Sequence, residues 1–510
     1  VKPAVIEAPD WIAYHAQAAP DREALHDLRS GRRFTYREMN ERVDKVASLL
    51  STQEGVQAGD RVAVLSHNDS DMFEIQFACG RLGAIFVPLN WRLAVPELEY
   101  IGKDARPRVL LHGPECTEAA SQVAKRCGIA RVLDMNCGKA SRYEEAIARA
   151  CDHVRPVRRK MEDTWTILYT SGTSGLPKGV LITCGMMHFN AVDCTMVGDL
   201  TARSRNLVML PMFHTGGLNV WANPVFHVGG CNVVMRAFDP GWMLALLADP
   251  VLRITHTLGV PTNFLMMAQE PGFGQADLSH VECLCVGGAA ASESLIRSYD
   301  AVGVRLRAMY GMTEIGPLGL ALPPERRLEK IGSSGLPTMH TQMKVCNADG
   351  MPTQDGEVGE LLIRGPSVTP GYWNKPAETA AAFDAQGWLH TGDAARCDRD
   401  GFFFIVDRWK DMYISGGENV YPAEVENAIY RLPGVLETAV IGIADEKWGE
   451  VGCAFVVLRQ GTTLYAEQVM EHCRSHLAGY KVPRKVRIVA ELPHNATGKI
   501  LKQQLPRDPG

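Results

Sequence analysis

The stretch YTSGTSGLPKG, residues 169–179, decides how the rest of the chain is read. Nearly every residue in it is Gly, Ser, Thr, Pro or Lys. It follows TWTIL (164–168) and precedes VLIT (180–183), two short apolar runs that read as strands. Such a loop either stays a solvated surface loop or turns several backbone N–H groups toward one point and holds an anion. The Ser and Thr hydroxyls add donors and Lys178 adds a point charge, so the natural guest is a polyphosphate. It departs from the Walker pattern, because Lys178 is followed by Gly179 and not by Ser or Thr. A magnesium-binding hydroxyl is therefore missing from its usual place, and the metal ligand must come from elsewhere.

Working outward, 510 residues exceed what one hydrophobic core supports, so two or more domains are expected. A net charge of −5 gives no global attraction to nucleic acid. Of the 14 cysteines, Cys283 and Cys285 are the closest pair; no CxxC pair suggests zinc, and buried thiols in a reducing cytoplasm are expected. The N-terminal segment lacks the apolar core of a signal peptide. No apolar run approaches the roughly 18 residues that a membrane span requires. The basic cluster Arg29, Arg32 and Arg33 reads as a solvated run, with peripheral membrane contact as the alternative.

Short apolar strands alternate with amphipathic helices: RVAVLS, IFVPLN, RVLLH, NLVMLP, CNVVMR and CLCVGG, with DMFEIQFACGRLGA as an intervening helix. This alternation predicts an α/β fold with parallel sheets. After about residue 330, frequent Gly and Asp turns predict a β-rich subdomain. From Asp411 a tail of about 100 residues carries both strands and helices, enough for a separate α+β domain. The expected division is a large part, 1–409, and a small mobile part, 410–510.

The loop and six further blocks resemble the AMP-forming adenylating enzymes, among them the acyl-CoA synthetases. The blocks are PMFHTGG (211–217), VGGAAAS (286–292), MYGMTE (309–314), GWLHTGD (387–393), DRWKDMYISGGENVYPAEVE (407–426) and PHNATGK (493–499). They stand in the family's order and spacing and cover essentially the whole chain.

The resemblance implies ATP, Mg²⁺ and coenzyme A as cosubstrates and cofactor, and a carboxylic acid that attacks the α-phosphorus of ATP. It implies that Thr170, Ser171, Gly172, Thr173, Ser174, Gly175 and Lys178 hold the β- and γ-phosphates. Glu314 would bind Mg²⁺, which prefers carboxylate and phosphate oxygens, and Thr313 would bond the α-phosphate. Tyr310 and Gly311, with Gly288 and Ala289 opposite, would enclose adenine. Asp393 would accept the ribose hydroxyls, as an acceptor-only carboxylate can, and Arg408 would reach the ribose or phosphate. Lys499 would bridge carboxylate and α-phosphate, cancelling the repulsion between two anions.

For thioester formation the resemblance implies rotation of the small domain about a hinge at Lys410. Ser415, Gly416 and Gly417 would then face the site, with Gly417 lining the coenzyme A tunnel. A free thiol is expected rather than a tethered carrier, since only about ten residues follow Lys499. Phe213, His214, Leu218, Val260 and Met312 fall on stretches that line the acyl pocket in relatives, His214 at the gating aromatic position. Met309 stands where malonate-activating relatives carry arginine, so a monocarboxylate is expected: a medium- or long-chain fatty acid, with an aryl acid as alternative. A non-catalytic binder of the same fold would show damaged blocks, and these are intact. PHNATGK also fits an acetylation pattern, which makes a lysine acetyltransferase acting on Lys499 a candidate partner.

Overall fold

The computed structural model describes residues 6–135, 141–151, 154–170, 176–408, 411–416, 418–494 and 500–507, without the side chains of Arg408 and Asn419. Two large sheets form the body. One has six strands, in the order Val132–Asp134, Val109–His112, Arg61–Leu65, Ile85–Leu89, Thr164–Thr170 and Lys178–Thr183. Its first five strands run parallel and the last pair is antiparallel, joined by the glycine-rich loop. The other has nine strands, parallel from Glu23–Asp27 to Leu306–Gly311, with antiparallel strands at both edges: Arg33–Thr35 at one, Leu318–Ala321 and Leu336–Pro337 at the other.

These strands read as continuous apolar runs because helices cover both faces. Arg61–Leu65 and Ile85–Leu89 are almost wholly buried, and the helix Ser70–Leu82 that follows the first is buried along its full length. Gly83 ends that helix at φ +67, a left-handed position that glycine adopts without a Cβ clash.

An antiparallel sheet of Gln342–Cys346, Gly359–Arg364, Leu389–Cys397 and Phe403–Arg408 follows, as the turn-rich sequence predicted. The C-terminal part builds its own sheet on the long hairpin Val435–Asp445 and Gly449–Leu458, backed by helices Pro422–Ile429 and Ala466–His476. The α/β expectation with a separate small α+β unit therefore agrees with the structure.

Two features were not legible locally. The early strand Glu23–Asp27 joins the nine-stranded sheet beside Cys231–Val234, some 200 residues later. The arginines of the basic cluster are paired with carboxylates, Arg29 and Arg33 staying exposed. Arg32 pairs with Asp71 and, at 3.0 Å, with Glu144; Arg29 meets Glu115 at 2.7 Å; Arg33 lies 3.5 Å from Glu23. Asp71 is buried with Asp69 and Glu74 around it, which pushes its carboxyl above the usual range, and the facing carboxylates raise Arg32. Arg29 and Arg32 take partners from distant segments, and Arg33 from the neighbouring strand Glu23–Asp27. Among the described residues no helix is long and apolar enough to cross a membrane.

Candidate active site

The centre of the site is built where the last two strands of the six-stranded sheet meet a strap of chain at residues 369–373. Leu181 N–H donates to Gly371 O (3.1 Å), Trp373 N–H donates to Gly179 O (2.7 Å), and Val180 bridges Tyr372. The strap lays Tyr372 under the end of the glycine-rich loop, with Lys178 Nζ 4.4 Å from the ring centroid. The Tyr372 hydroxyl donates to Glu314 Oε1 at 3.1 Å, and Thr369 N–H donates to Glu314 O at 2.8 Å. Glu314 is 8% exposed. One tyrosine thus connects the loop's cation to the carboxylate expected to hold magnesium.

Thr313 and Glu314 share a single 3₁₀ turn, Thr313–Ile315, after the strand Leu306–Gly311. Gly311 cannot carry a side chain, since a Cβ there would stand 2.0 Å from Pro317 O. Tyr310 leaves the same strand and donates to Asp393 Oδ2 at 2.6 Å. Asp393 is buried, and its N–H donates to Thr391 Oγ1 at 3.0 Å. Tyr310 and Asp393, expected at adenine and ribose, therefore stand side by side.

Gly288 (φ +78) and Ala289 are exposed at the C-terminal end of Cys283–Val286, where parallel sheets bind ligands. A Cβ on Gly288 would touch Val260 Cγ1 at 3.4 Å. Thr170 ends its strand with Oγ1 3.5 Å from Lys178 O.

A metal fits this arrangement only in company. Among the described residues no cluster of three or more His, Cys, Asp or Glu can hold one, so Glu314 would share the cation with phosphate oxygens. Ser171, Gly172, Thr173, Ser174, Gly175, Lys410, Gly417 and Lys499, and the Arg408 side chain, lie outside the described residues. The backbone of Arg408 pairs with Asp393 across the antiparallel sheet.

The residues expected at the acyl pocket fall in three packing environments. His214 Nδ1 accepts from Gly216 N–H at 3.1 Å, and a Cβ on Gly216 would meet His214, Leu210 and Leu258 within 3.7 Å. Phe213 and Val260 are buried beside this wall in sequence. Leu218 packs into a buried core with Met212 and Phe226, and Met312 packs with Tyr310 against the antiparallel sheet. The apolar wall behind His214 is one buried cluster of Leu210, Val220, Trp221, Leu258, Met309 and Leu318. Most of these were missed, because apolar residues at strand ends look like ordinary core.

On the small domain, Ser415 is buried and Gly416 (φ +62) donates its N–H to Trp448 O at 2.9 Å. Trp448 is 37% exposed, with Lys447 5.0 Å and Arg484 5.9 Å from its ring. An exposed indole with two cations beside SGGEN was the overlooked signal there. Tyr372, half-buried between Lys178 and Glu314, was the residue that sequence reasoning did not single out here.

Known proteins share this fold and sequence. The AMP-binding enzyme family matches residues 12–373, and the AMP-binding enzyme C-terminal domain matches residues 424–499. A feruloyl-CoA synthase of Amycolatopsis sp is 40% identical over 98% of both chains. The long-chain-fatty-acid–CoA ligase FadD13 of Mycobacterium tuberculosis is 36% identical over 97% of both. ATP-bound MatB from Rhodopseudomonas palustris superposes with a TM-score of 0.90 at 30% identity, covering 98% of both chains; the apo form of MatB gives 0.82 at the same identity and coverage. The chain belongs to the AMP-binding enzyme family and, within it, to the AMP-forming coenzyme A ligases.

Proposed function

We propose that this ligase activates a flat, aromatic or arylalkenoic monocarboxylic acid. The observation that carries this reading is the wall behind His214. Leu210, Trp221, Leu258 and Met309 pack there as one buried cluster, with Trp221 pressed so closely on Gly198 that a Cβ would stand 2.6 Å from its ring. Gly216 and Gly287 withhold side chains on the same side, Gly287 lying with Leu258 Cδ1 3.7 Å from where its Cβ would stand. Missing side chains beside a buried apolar cluster suit a flat ring edge better than a long flexible chain. The 40% identity to a feruloyl-CoA synthase supports the same choice. A fatty acid is the second reading, favoured by the wholly apolar lining and the similarity to FadD13.

In this reading residues 1–409 assemble the adenylation site and residues 410–510, hinged at Lys410, bring Lys499 for the first half-reaction and Ser415, Gly416 and Gly417 for the second. Thr170, Lys178 and residues 171–175 hold the β- and γ-phosphates, Thr313 the α-phosphate, Tyr310, Gly311, Gly288 and Ala289 the adenine, and Asp393 with Arg408 the ribose. Magnesium on Glu314 would neutralise charge on the phosphates. The acid's carboxylate, approaching past His214, attacks the α-phosphorus and pyrophosphate departs. Catalysis is then positioning and charge stabilisation, as expected for a transition state whose charge lies on phosphate oxygens. In the second half-reaction the thiol of coenzyme A displaces AMP from the acyl carbon.

The test is pyrophosphate release with a panel of cinnamate-type, benzoate-type and C8–C16 alkyl acids, with and without coenzyme A. The aryl acids should exceed the alkyl acids by about tenfold or more in kcat/KM, a difference of roughly 1.4 kcal/mol in transition-state binding. Preference for palmitate would establish the second reading instead.

A further inference from the structure

One carboxylate oxygen joins the small domain to the large one. Glu437 lies on the small domain's strand Val435–Asp445 and is 8% exposed. Its Oε1 accepts from Thr262 Oγ1 at 3.2 Å and stands 3.2 Å from His494 Nε2. Thr262 sits in the first turn of the helix Pro261–Met267, two residues after Val260, which is expected at the acyl pocket, and four after Leu258 of the apolar wall. His494 lies five residues before Lys499 in the chain. The three side chains thus link the apolar wall to the root of the segment that carries the expected catalytic lysine.

We infer that Glu437 is a positioning residue for adenylation, fastening the small domain through Thr262 and His494 in the arrangement that brings the Lys499 segment to the acyl carboxylate. The inference rests on the two-step reading given above, with its rotating small domain. The arrangement described here overlays better on ATP-bound than on apo MatB. Rotation of the small domain separates Thr262 from Glu437, so the contact acts in the first half-reaction and is absent from the second.

The link also carries a pH dependence. Among the described residues the charged groups acting on His494 are Glu437, from the hairpin strand, and Glu491, on its own segment; the helix Pro261–Met267 brings no charged residue. The bond to Glu437 holds the imidazole above its ordinary value. The charged pair is therefore complete below the usual histidine range and is lost as pH rises through the raised value.

Three variants test this: Glu437→Gln, Thr262→Val and His494→Lys. Each is assayed for carboxylate-dependent ATP–pyrophosphate exchange, for thioester formation from supplied acyl-adenylate, and for melting temperature. Glu437→Gln and Thr262→Val should lower exchange about five- to tenfold while leaving thioester formation within about twofold of wild type. His494→Lys should keep exchange near wild type and carry it to higher pH, because a lysine stays charged there.

Equal loss in both half-reactions with a lowered melting temperature would mean a merely structural contact and overturn the inference. So would unchanged exchange in both Glu437→Gln and Thr262→Val. Amide hydrogen exchange of residues 260–264 and 490–494 gives a readout independent of activity. It should quicken at both segments in Glu437→Gln, and no change there would likewise overturn the inference. Wild-type protein lacking carboxylate-dependent exchange with every acid would instead overturn the proposed function, with hydrogen exchange still deciding the contact.

Discussion

Replacing Tyr372 with phenylalanine isolates the connection between the phosphate loop and Glu314. The ring stays, so its contact with Lys178 Nζ at 4.4 Å survives, while the hydroxyl that donates to Glu314 Oε1 at 3.1 Å is lost. A hydrogen bond to a charged group contributes about 1.5–3 kcal/mol. If that bond holds Glu314 in position at the transition state, adenylation should slow by roughly 10- to 150-fold. The loss should appear in kcat of pyrophosphate exchange and as a shift of the magnesium dependence to higher concentration. Thioester formation from supplied acyl-adenylate, which no longer involves the β- and γ-phosphates, should be little changed. Tyr372→Leu removes the ring as well and should cost about 0.5–1 kcal/mol more through the lost cation contact. A phenylalanine variant with wild-type exchange and wild-type magnesium dependence would refute the reasoning.

Tyr310→Phe breaks the 2.6 Å bond to Asp393 and should raise the KM for ATP with little change in the KM for the acid, read by steady-state kinetics. Lys502 pairs with Glu426 at 2.8 Å and lies 3.7 Å from Asp407; Lys502→Met leaves these carboxylates without their buried cation and should destabilise the small domain by about 3–5 kcal/mol in a denaturant titration. His256 is fully buried between Thr255 Oγ1 and Gly198 O, and burial pushes its imidazole down to about 4. Its neutral form is therefore favoured by folding, and stability should fall by about 3 kcal/mol as pH drops from about 6.5 to about 4. His256→Asn should flatten that part of the stability–pH curve. Lys499→Ala should abolish adenylation while leaving thioester formation from supplied adenylate, and equal loss of both would remove its assigned role.

How far the sequence could be read depended on the range of the interactions involved. Strands such as Arg61–Leu65 and Cys283–Val286 were legible because burial on both faces leaves a continuous apolar run. Glu314 and Asp393 were legible because they sit inside blocks whose spacing is characteristic of the family. Tyr372 was not, because its role depends on a strap that meets the strand Lys178–Thr183 from nearly 200 residues away. The pairing of Arg29 and Arg32 was hidden for the same reason: their partners Glu115, Asp71 and Glu144 are distant in the chain. Leu218 and Trp221 differ by three positions on one short apolar segment, and only packing decides that they enter two different buried clusters.

The most direct test follows every product of one reaction mixture containing the protein, ATP, magnesium, coenzyme A and a cinnamate-type acid. The account predicts AMP, pyrophosphate and aryl-CoA thioester in equal amounts, with pyrophosphate exchange that requires the acid but not coenzyme A. Formation of ADP and phosphate, or nucleotide turnover indifferent to the acid, would contradict it.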